Sequence, residues 1–305
     1  MPILSPAKAE ELYGTVAIFI ICIWSPERSY AQFKKQLSDL GIINIAHVAA
    51  IMLSFPGELL PYYHFQTPDY FLKHKKEIEE VYDFLADEES KKQYHAQVDC
   101  RFNLNFEGLP IANTKNQYFP SDIIKLSDHE VFLDAGAYNG DTLQDFCERT
   151  EFKYEKYIAL EPDPENYLNL ENKIQSLNAK HVITLPYAVG KENCFLKFDA
   201  TGGGGAGISV NGTIEVECVR IDDKFYNTIP TYLKFDIEGA ELDALAGAEN
   251  TIETYKPIIA VCIYHLPDDL WTIPLYLKRI YPFYNFFVRT HQYDGLDFVL
   301  YAIPK

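Results

Sequence analysis

Apolar and polar positions alternate differently along the two parts of the chain. In the second part, short apolar runs are separated by amphipathic stretches, which is typical of alternating strands and helices. The runs are almost continuously apolar, as expected for parallel strands buried on both faces. Strands are predicted at residues 131–134, 157–160, 182–185, 232–236 and 258–264. Helices are predicted after Asp141, Pro164 and Gly239.

Two further patterns modify this α/β arrangement. Residues 195–219 contain four consecutive glycines and an alternating segment, which predicts a short antiparallel excursion. Residues 284–289 and 298–303 flank an Asp294-Gly295 turn, which predicts a hairpin. We therefore expect an α/β fold in which a doubly wound, Rossmann-like sheet ends in an antiparallel hairpin.

The first part of the chain predicts a smaller unit. A strand at 16–24, a helix that ends at Gly41 and a strand at 42–45 form a βαβ pattern, and helices are predicted over 69–97. No G-x-G-x-x-G follows the first strand, so we assign no nucleotide site to it. Residues 103–120 are irregular. We predict an α/β and helical N-terminal domain at 1–118 and the main domain at 119–305.

Charge and cysteine content narrow the partners. The formal net charge of −17 disfavours binding to nucleic acid and favours a small-molecule or glycan acceptor. The six cysteines show no C-x-x-C pair, which favours reduced thiols and a cytoplasmic protein. The apolar run at 16–24 is too short to span a bilayer as a helix.

The first candidate site segment follows the strand at 131–134. Asp134 ends that strand, and a loop with Gly136 and Gly140 leads into a helix. Glycines allow a ligand to approach the backbone, and a helix start offers N–H groups to a carboxylate. The carboxylate of Asp134 would repel a pyrophosphate, whereas it would attract the ammonium group of S-adenosylmethionine (SAM). The candidate cofactor-binding residues here are Asp134, Gly136, Ala137, Tyr138, Gly140, Asp141 and Thr142.

The second candidate segment ends the next strand. Glu161, followed by Pro162, lies 21 residues after Gly140. An acidic residue at this position accepts hydrogen bonds from ribose hydroxyls, in nicotinamide cofactors and in SAM alike. Ala188 and Val189, after the third strand, are assigned to the cofactor from their position alone.

A third segment gives the candidate catalytic residues. Lys234, Asp236 and Glu238 alternate at the end of the fourth strand, and His265 directly follows the fifth. We expect His265 to be the general base, with Asp236 or Glu238 orienting it, and Asp236 also to contact the cofactor. The same three side chains could instead hold a divalent metal. These residues also have purely structural interpretations. The charged residues at the end of the fourth strand could form a salt bridge, and His265 could cap the fifth strand.

These segments resemble the FkbM family of SAM-dependent methyltransferases over residues 119–304. The resemblance rests on residues 119–124, on Asp134-Ala-Gly-Ala-Tyr-Asn-Gly-Asp141, on Lys234-Phe-Asp-Ile-Glu-Gly-Ala-Glu241, on the tail around His265 and Tyr301, and on the glycine-rich insertion with Val219-Arg-Ile-Asp-Asp223. It implies a SAM-methyltransferase sheet and O-methylation, often of sugars or polyketide-type hydroxyls. It also implies SAM contacts at Asp134, Gly136, Gly140 and Glu161.

Two other functions stay open at this point. A nicotinamide-dependent sugar-modifying enzyme would explain Glu161 and the glycines, but the chain lacks the third glycine and a suitably placed Tyr-x-x-x-Lys. A non-catalytic Rossmann-like binding protein would keep the fold without the chemistry. The sequence settles neither the acceptor, nor the use of a metal, nor the oligomeric state.

Overall fold

The structure is a computed structural model that describes residues 3–14 and 16–305. Its first elements are α1 (Pro6–Tyr13), β1 (Phe19–Ile21), α2 (Tyr30–Ser38) and β2 (Ile45–His47). The strands pair in parallel, with Phe19 opposite Ile45, and α2 connects them, so the predicted βαβ unit is present. Ser29 starts α2 with a capping box. Both strands are shorter than predicted, because each has one partner along only three residues.

Five helices follow this unit. They are α3 (Ala49–Ser54), α4 (Pro56–Leu59), α5 (Pro68–Lys73), α6 (Lys75–Phe84) and α7 (Glu88–Asn103). Phe71, Val81 and Tyr94 from the last three helices are buried in the same core as the main sheet. Ile21 and Tyr30 belong to a separate, smaller core. The division near Tyr118 therefore remains a prediction about independent folding.

The rest of the chain builds two sheets and their helices. The strands are β3 (Val131–Ala135), β4 (Lys156–Leu160), β5 (Val182–Leu185), β6 (Tyr187–Val189), β7 (Cys194–Asp199), β8 (Gly207–Ile208), β9 (Ile214–Val219), β10 (Tyr232–Phe235), β11 (Ile258–Cys262), β12 (Tyr284–Thr290) and β13 (Phe298–Pro304). The helices are α8 (Asp141–Arg149), α9 (Pro164–Leu177), α10 (Ile221–Lys224), α11 (Glu241–Ala246), α12 (Glu249–Tyr255) and α13 (Asp269–Ile280).

The main sheet has the strand order β12-β13-β11-β10-β3-β4-β5. Strands β4, β3, β10 and β11 run parallel, whereas β13 is antiparallel to both β11 and β12. This confirms the predicted Rossmann-like sheet with its terminal hairpin. The strand order reverses beside β3, with β4 on one side and β10 on the other. Such a switch point opens a crevice at the carboxyl ends of the strands.

Two local predictions also hold. The insertion forms a second sheet of order β6-β9-β7-β8, in which β7 is antiparallel to β8 and to β9. In the turn before β13, Asp294 and Gly295 have φ values of 59° and 89°, the left-handed conformation that an Asp-Gly turn favours. In the part of the chain that the structure describes, no helix combines the length and apolarity needed to cross a bilayer.

Candidate active site

A cleft of about 880 Å³ opens at the switch point beside β3. Ten predicted site residues line it: Gly136, Tyr138, Asp141, Thr142, Glu161, Pro162, Ala188, Val189, Asp236 and Glu238. The other four predicted residues, Asp134, Ala137, Gly140 and His265, are buried behind its wall. Most of the residues that the sequence singled out therefore lie at one cleft, together with many that it did not single out.

Asp134 is paired within the protein. Its side chain has no solvent-exposed surface, its Oδ1 lies 2.9 Å from Lys234 Nζ, and its Oδ2 accepts a hydrogen bond from the Tyr157 hydroxyl. Burial alone would lower the pKa of Lys234, but the neighbouring Asp134 carboxylate raises that pKa above its usual value. Asp134 was expected to contact the ammonium group of SAM directly. That expectation is wrong, because Asp134 is fully buried and the ammonium group beside it is that of Lys234.

Lys234 connects this buried pair to the cleft surface. Its Nζ donates a hydrogen bond of 2.6 Å to the Gly136 carbonyl and lies 4.9 Å from the centre of the Tyr118 ring. Lys234 itself lines the cleft. It therefore fixes the glycine loop after β3 to the end of β10.

The two loop glycines have a structural reason of their own. Gly136 has a φ of +80°, and a Cβ there would lie 1.9 Å from the Asp236 carbonyl oxygen. Gly140 has a φ of +83° and precedes α8, and its Cβ would approach Lys173 Cγ to 3.0 Å. Backbone conformation and close protein packing therefore require these two glycines, whether or not a ligand approaches the backbone there.

Glu161 is held at the end of β4 by two backbone donors. Its Oε2 accepts a hydrogen bond of 2.8 Å from Tyr138 N, and its Oε1 accepts one of 2.8 Å from Asp163 N. Burial raises the pKa of Glu161 to about 7. Each oxygen keeps a further lone pair, so this carboxylate can accept hydrogen bonds from a vicinal diol in the cleft.

His265 lies among three carboxylates. Its Nδ1 is 2.8 Å from Glu241 Oε1, and its Nε2 is 3.3 Å from Asp236 Oδ1 and 3.5 Å from Glu238 Oε1. Burial opposes ionisation of His265, but Glu241, Asp236 and Glu238 together raise its pKa well above the usual value. Its Nδ1 is hydrogen-bonded to Glu241, whereas its Nε2 lies near Asp236 and Glu238 without a hydrogen-bond partner among the described residues. The raised pKa favours a positioning role over a basic one, and the role of His265 as the general base stays a prediction.

Asp236 links the histidine cluster to the cleft. Its Oδ2 accepts a hydrogen bond of 2.6 Å from the Tyr118 hydroxyl. Although burial works in the opposite direction, His265 and Lys234 lower the pKa of Asp236. Asp236 is consequently a stable anion and a poor base at neutral pH.

Comparison with known proteins now places this cleft in a family. The model of the methyltransferase FkbM domain matches residues 134–293, which is just over half of the chain. The chain belongs to the FkbM methyltransferase domain family. Its site residues from Asp134 to His265 all lie inside the matched region of this FkbM methyltransferase.

Comparison with a solved methyltransferase structure supports the fold. A methyltransferase FkbM from Methylobacillus flagellatus KT matches with a TM-score of 0.83 and 23% identity, over 99% of this chain and 78% of that one. A putative rRNA-methylase from Clostridium thermocellum matches with a TM-score of 0.43 and 16% identity, over 65% of this chain and 98% of that one, a likeness too loose to bear on function. No curated protein matched the chain. Membership of a methyltransferase family leaves the nicotinamide alternative without support.

Several residues that the sequence did not single out also belong to the site of this FkbM methyltransferase. Tyr118, Tyr264 and Asp297 line the cleft. Burial and the nearby Asp236 raise the pKa of Asp297 to about 7. Asp297 follows the hairpin turn and carries no motif, so only the pairing of β13 with β11 could have brought it to the site.

Glu241 ends the motif after β10, and its position in the sequence alone indicates no role. Its Oε1 and Oε2 accept hydrogen bonds from Ile237 N and Gly239 N, at 2.9 and 3.0 Å. Ligand atoms of Asp236, Glu241 and His265 lie within 4.8 Å of one another, close enough to surround a metal ion. The predicted metal site of Asp236, Glu238 and His265 stays a prediction, and in the structure Glu241 is grouped with Asp236 and His265 in place of Glu238.

Proposed function

We propose that this FkbM methyltransferase transfers the methyl group of SAM to a hydroxyl of a sugar or another small molecule. The observation that supports it most is Glu161. It lies at the end of β4, fixed by two backbone hydrogen bonds, on the wall of a cleft at the switch point of the sheet. That position suits the ribose diol of a nucleoside.

The residues of the cleft fit SAM. Glu161 would hold the ribose, while Tyr138, Asp141 and Thr142 at the start of α8 would surround the amino-acid tail. Ala188 and Val189 on β6 give the small apolar wall that an adenine ring needs. Bound SAM would supply a sulfonium-linked methyl group for in-line displacement by the acceptor oxygen.

The protein's own contribution is alignment and charge placement. Correct alignment of reacting groups is worth up to about 7–11 kcal/mol in ideal cases. His265 fixes the carboxylates of Asp236 and Glu238 from behind, so we assign it as a positioning residue. Asp236 in turn orients Tyr118.

Two carboxylates are the better candidates for the proton acceptor. Glu238 and Asp297 both line the cleft, and burial raises the pKa of each. A general base works best when its pKa lies near the working pH, which favours Asp297, with a pKa of about 7. In this proposal the acceptor hydroxyl loses its proton to one of these carboxylates as the oxygen–carbon bond forms.

Charge and thiol state support the remaining assignments. The net charge of −17 disfavours nucleic acid as the acceptor. The six cysteines are unpaired in the structure, and a reducing cytoplasm keeps thiols in that state. We infer cytoplasmic action on a small molecule or a glycan.

Differential scanning and titration calorimetry test the cofactor. At 100 times its dissociation constant, a ligand of the native state should stabilise the fold by about 2.7 kcal/mol. We expect SAM and S-adenosylhomocysteine to do so and NAD not to. A screen with radiolabelled SAM against sugars and glycan fractions then tests the transfer. Stabilisation by NAD alone, or no binding of SAM, would refute the proposal.

A further inference from the structure

A second cavity, of about 610 Å³, lies between the N-terminal residues and the active-site cleft. Cys22, Trp24, Tyr62 and Tyr63 line it from the N-terminal side. Five residues line both cavities: Gly204, Glu238, Tyr264, Gln292 and Asp297. The two cavities therefore meet at the carboxylates that we assign to the chemistry.

Aromatic rings form the N-terminal wall of this cavity. The Trp24 ring lies edge-on to Tyr62 at 5.8 Å and tilted against Tyr63 at 6.4 Å, measured between ring centres. Phe65 supports Trp24 from the core side at 5.8 Å. Trp24 is only half-buried, so part of its apolar surface remains free for a ligand.

The opposite wall is polar. Glu238, Asp297 and Gln292 lie there. Within the described residues, the buried Oε1 of Gln292 has no hydrogen-bond partner. An unpaired buried acceptor is costly unless a ligand donor satisfies it. No Lys, Arg or His is found among the described residues that line this cavity.

We propose that the second cavity is the acceptor site and that it binds a neutral sugar ring. This proposal rests on the proposed function. The apolar C–H face of a sugar would lie on Trp24, while its hydroxyls donate to Glu238, Asp297 and Gln292. Sugars that carry a phosphate or a carboxylate are rejected, because the cavity offers them carboxylates and no cation.

Tryptophan fluorescence tests the binding directly. The chain has two tryptophans, and Trp271 is buried with 3% of its surface exposed. In a Trp271→Phe variant, Trp24 is the only tryptophan, so emission excited selectively in tryptophan reports on this cavity. We expect methyl glycosides of neutral hexoses to change its emission saturably, while glucuronate and glucose 6-phosphate do not. Equal responses to charged and neutral sugars, or no response to neutral sugars, would overturn the proposal.

Kinetics test the same site through turnover. Trp24→Ala should raise the KM for a neutral acceptor by on the order of tenfold. Trp24→Phe should recover most of that loss, which separates a lost contact from a folding defect. Tyr226→Ala, which changes a side chain that is 70% exposed, is the matched control. An unchanged KM in Trp24→Ala would refute the acceptor site.

The two proposals fail in different ways. SAM affinity, measured by calorimetry, should be the same in wild type and Trp24→Ala. If SAM does not bind the wild type, the proposed function fails. If SAM binds and is turned over while neither the fluorescence nor the KM depends on Trp24, only the acceptor site fails.

Discussion

At the scale of single residues, His265 shows how neighbours decide a role that position alone leaves open. Its strand-end position fits a base, a metal ligand or a cap. Glu241, Asp236 and Glu238 lie within 3.5 Å of its ring nitrogens and raise its pKa well above the usual value. Protonated His265 stabilises the folded state fully at pH values below about 6.5, the pKa of this side chain in the unfolded chain. The stabilisation is lost only as the pH rises through the higher pKa that His265 has in the folded state.

The variant His265→Gln should separate a positioning role from a basic one. It leaves the buried Glu241 and the partly buried Asp236 and Glu238 without their cation, and breaking a buried ion pair typically costs about 3–5 kcal/mol. We expect lower thermal stability and reduced turnover, with the acidic limb of the pH–rate profile unchanged because carboxyl groups produce it. His129→Gln, whose side chain is 84% exposed, is the control. If the acidic limb disappears in His265→Gln, then His265 is the base after all.

Glu161 gives the second prediction at this scale. Its pKa is raised to about 7, and only the ionised form accepts hydrogen bonds from both ribose hydroxyls. SAM affinity should therefore rise as the pH increases through that value, by up to about tenfold per unit on the acidic side. Calorimetric titrations at several pH values measure it. Glu161→Gln should bind SAM more weakly and without this pH dependence; the same dependence in the variant would refute the assignment.

At the scale of secondary structure, periodicity predicted most of what was found. Buried parallel strands and the Asp-Gly hairpin have strong local signals, so β3, β4, β10, β11 and the terminal hairpin were predicted within a few residues. The region 69–97, predicted to be helical, contains three helices that are separated at His74 and at residues 85–87. At the second break, Ala86 N donates a hydrogen bond to the Phe286 carbonyl on β12, a contact that no local sequence pattern records.

The site was less predictable than the strands for the same reason. Motif positions indicated the crevice, and most of those residues line it. The pairing of Asp134 with Lys234, and the position of Asp297 beside Asp236, depend on which strands become neighbours. The sequence alone cannot measure the burial that raises or lowers each pKa.

At the scale of the whole molecule, α7 binds the N-terminal part to the terminal hairpin. Arg289 on β12 has 6% of its surface exposed and lies 2.7 Å from Asp87 and 2.6 Å from Asp122. Ser90 on α7 accepts a hydrogen bond of 3.0 Å from Val288 N. The N-terminal part therefore has two roles. Its helices support the sheet, and the residues that precede these helices form the aromatic wall of the second cavity.

Two truncations distinguish these functions. A chain starting at Tyr118 loses Asp87 and uncovers core surface, and each fully buried apolar side chain that is lost removes about 1.5–3 kcal/mol. The stabilising free energy lost with these side chains and with the ion pair approaches the free energy of unfolding of a typical domain, about 5–15 kcal/mol. We therefore expect this chain to show no cooperative melting and no SAM binding. A chain starting at Pro68 keeps α5, α6 and α7 but lacks Trp24 and Tyr63.

The chain that starts at Pro68 should melt cooperatively and bind SAM with near wild-type affinity, yet have little turnover on an acceptor. Circular dichroism melts, calorimetry with SAM and the radiolabel assay measure the three properties on both chains. Full-length Arg289→Met is the control for the ion pair, since it removes the charge and keeps the helices. If the chain starting at Tyr118 melts and binds SAM like the full-length protein, the sheet does not need α7, and the predicted boundary near Tyr118 is correct.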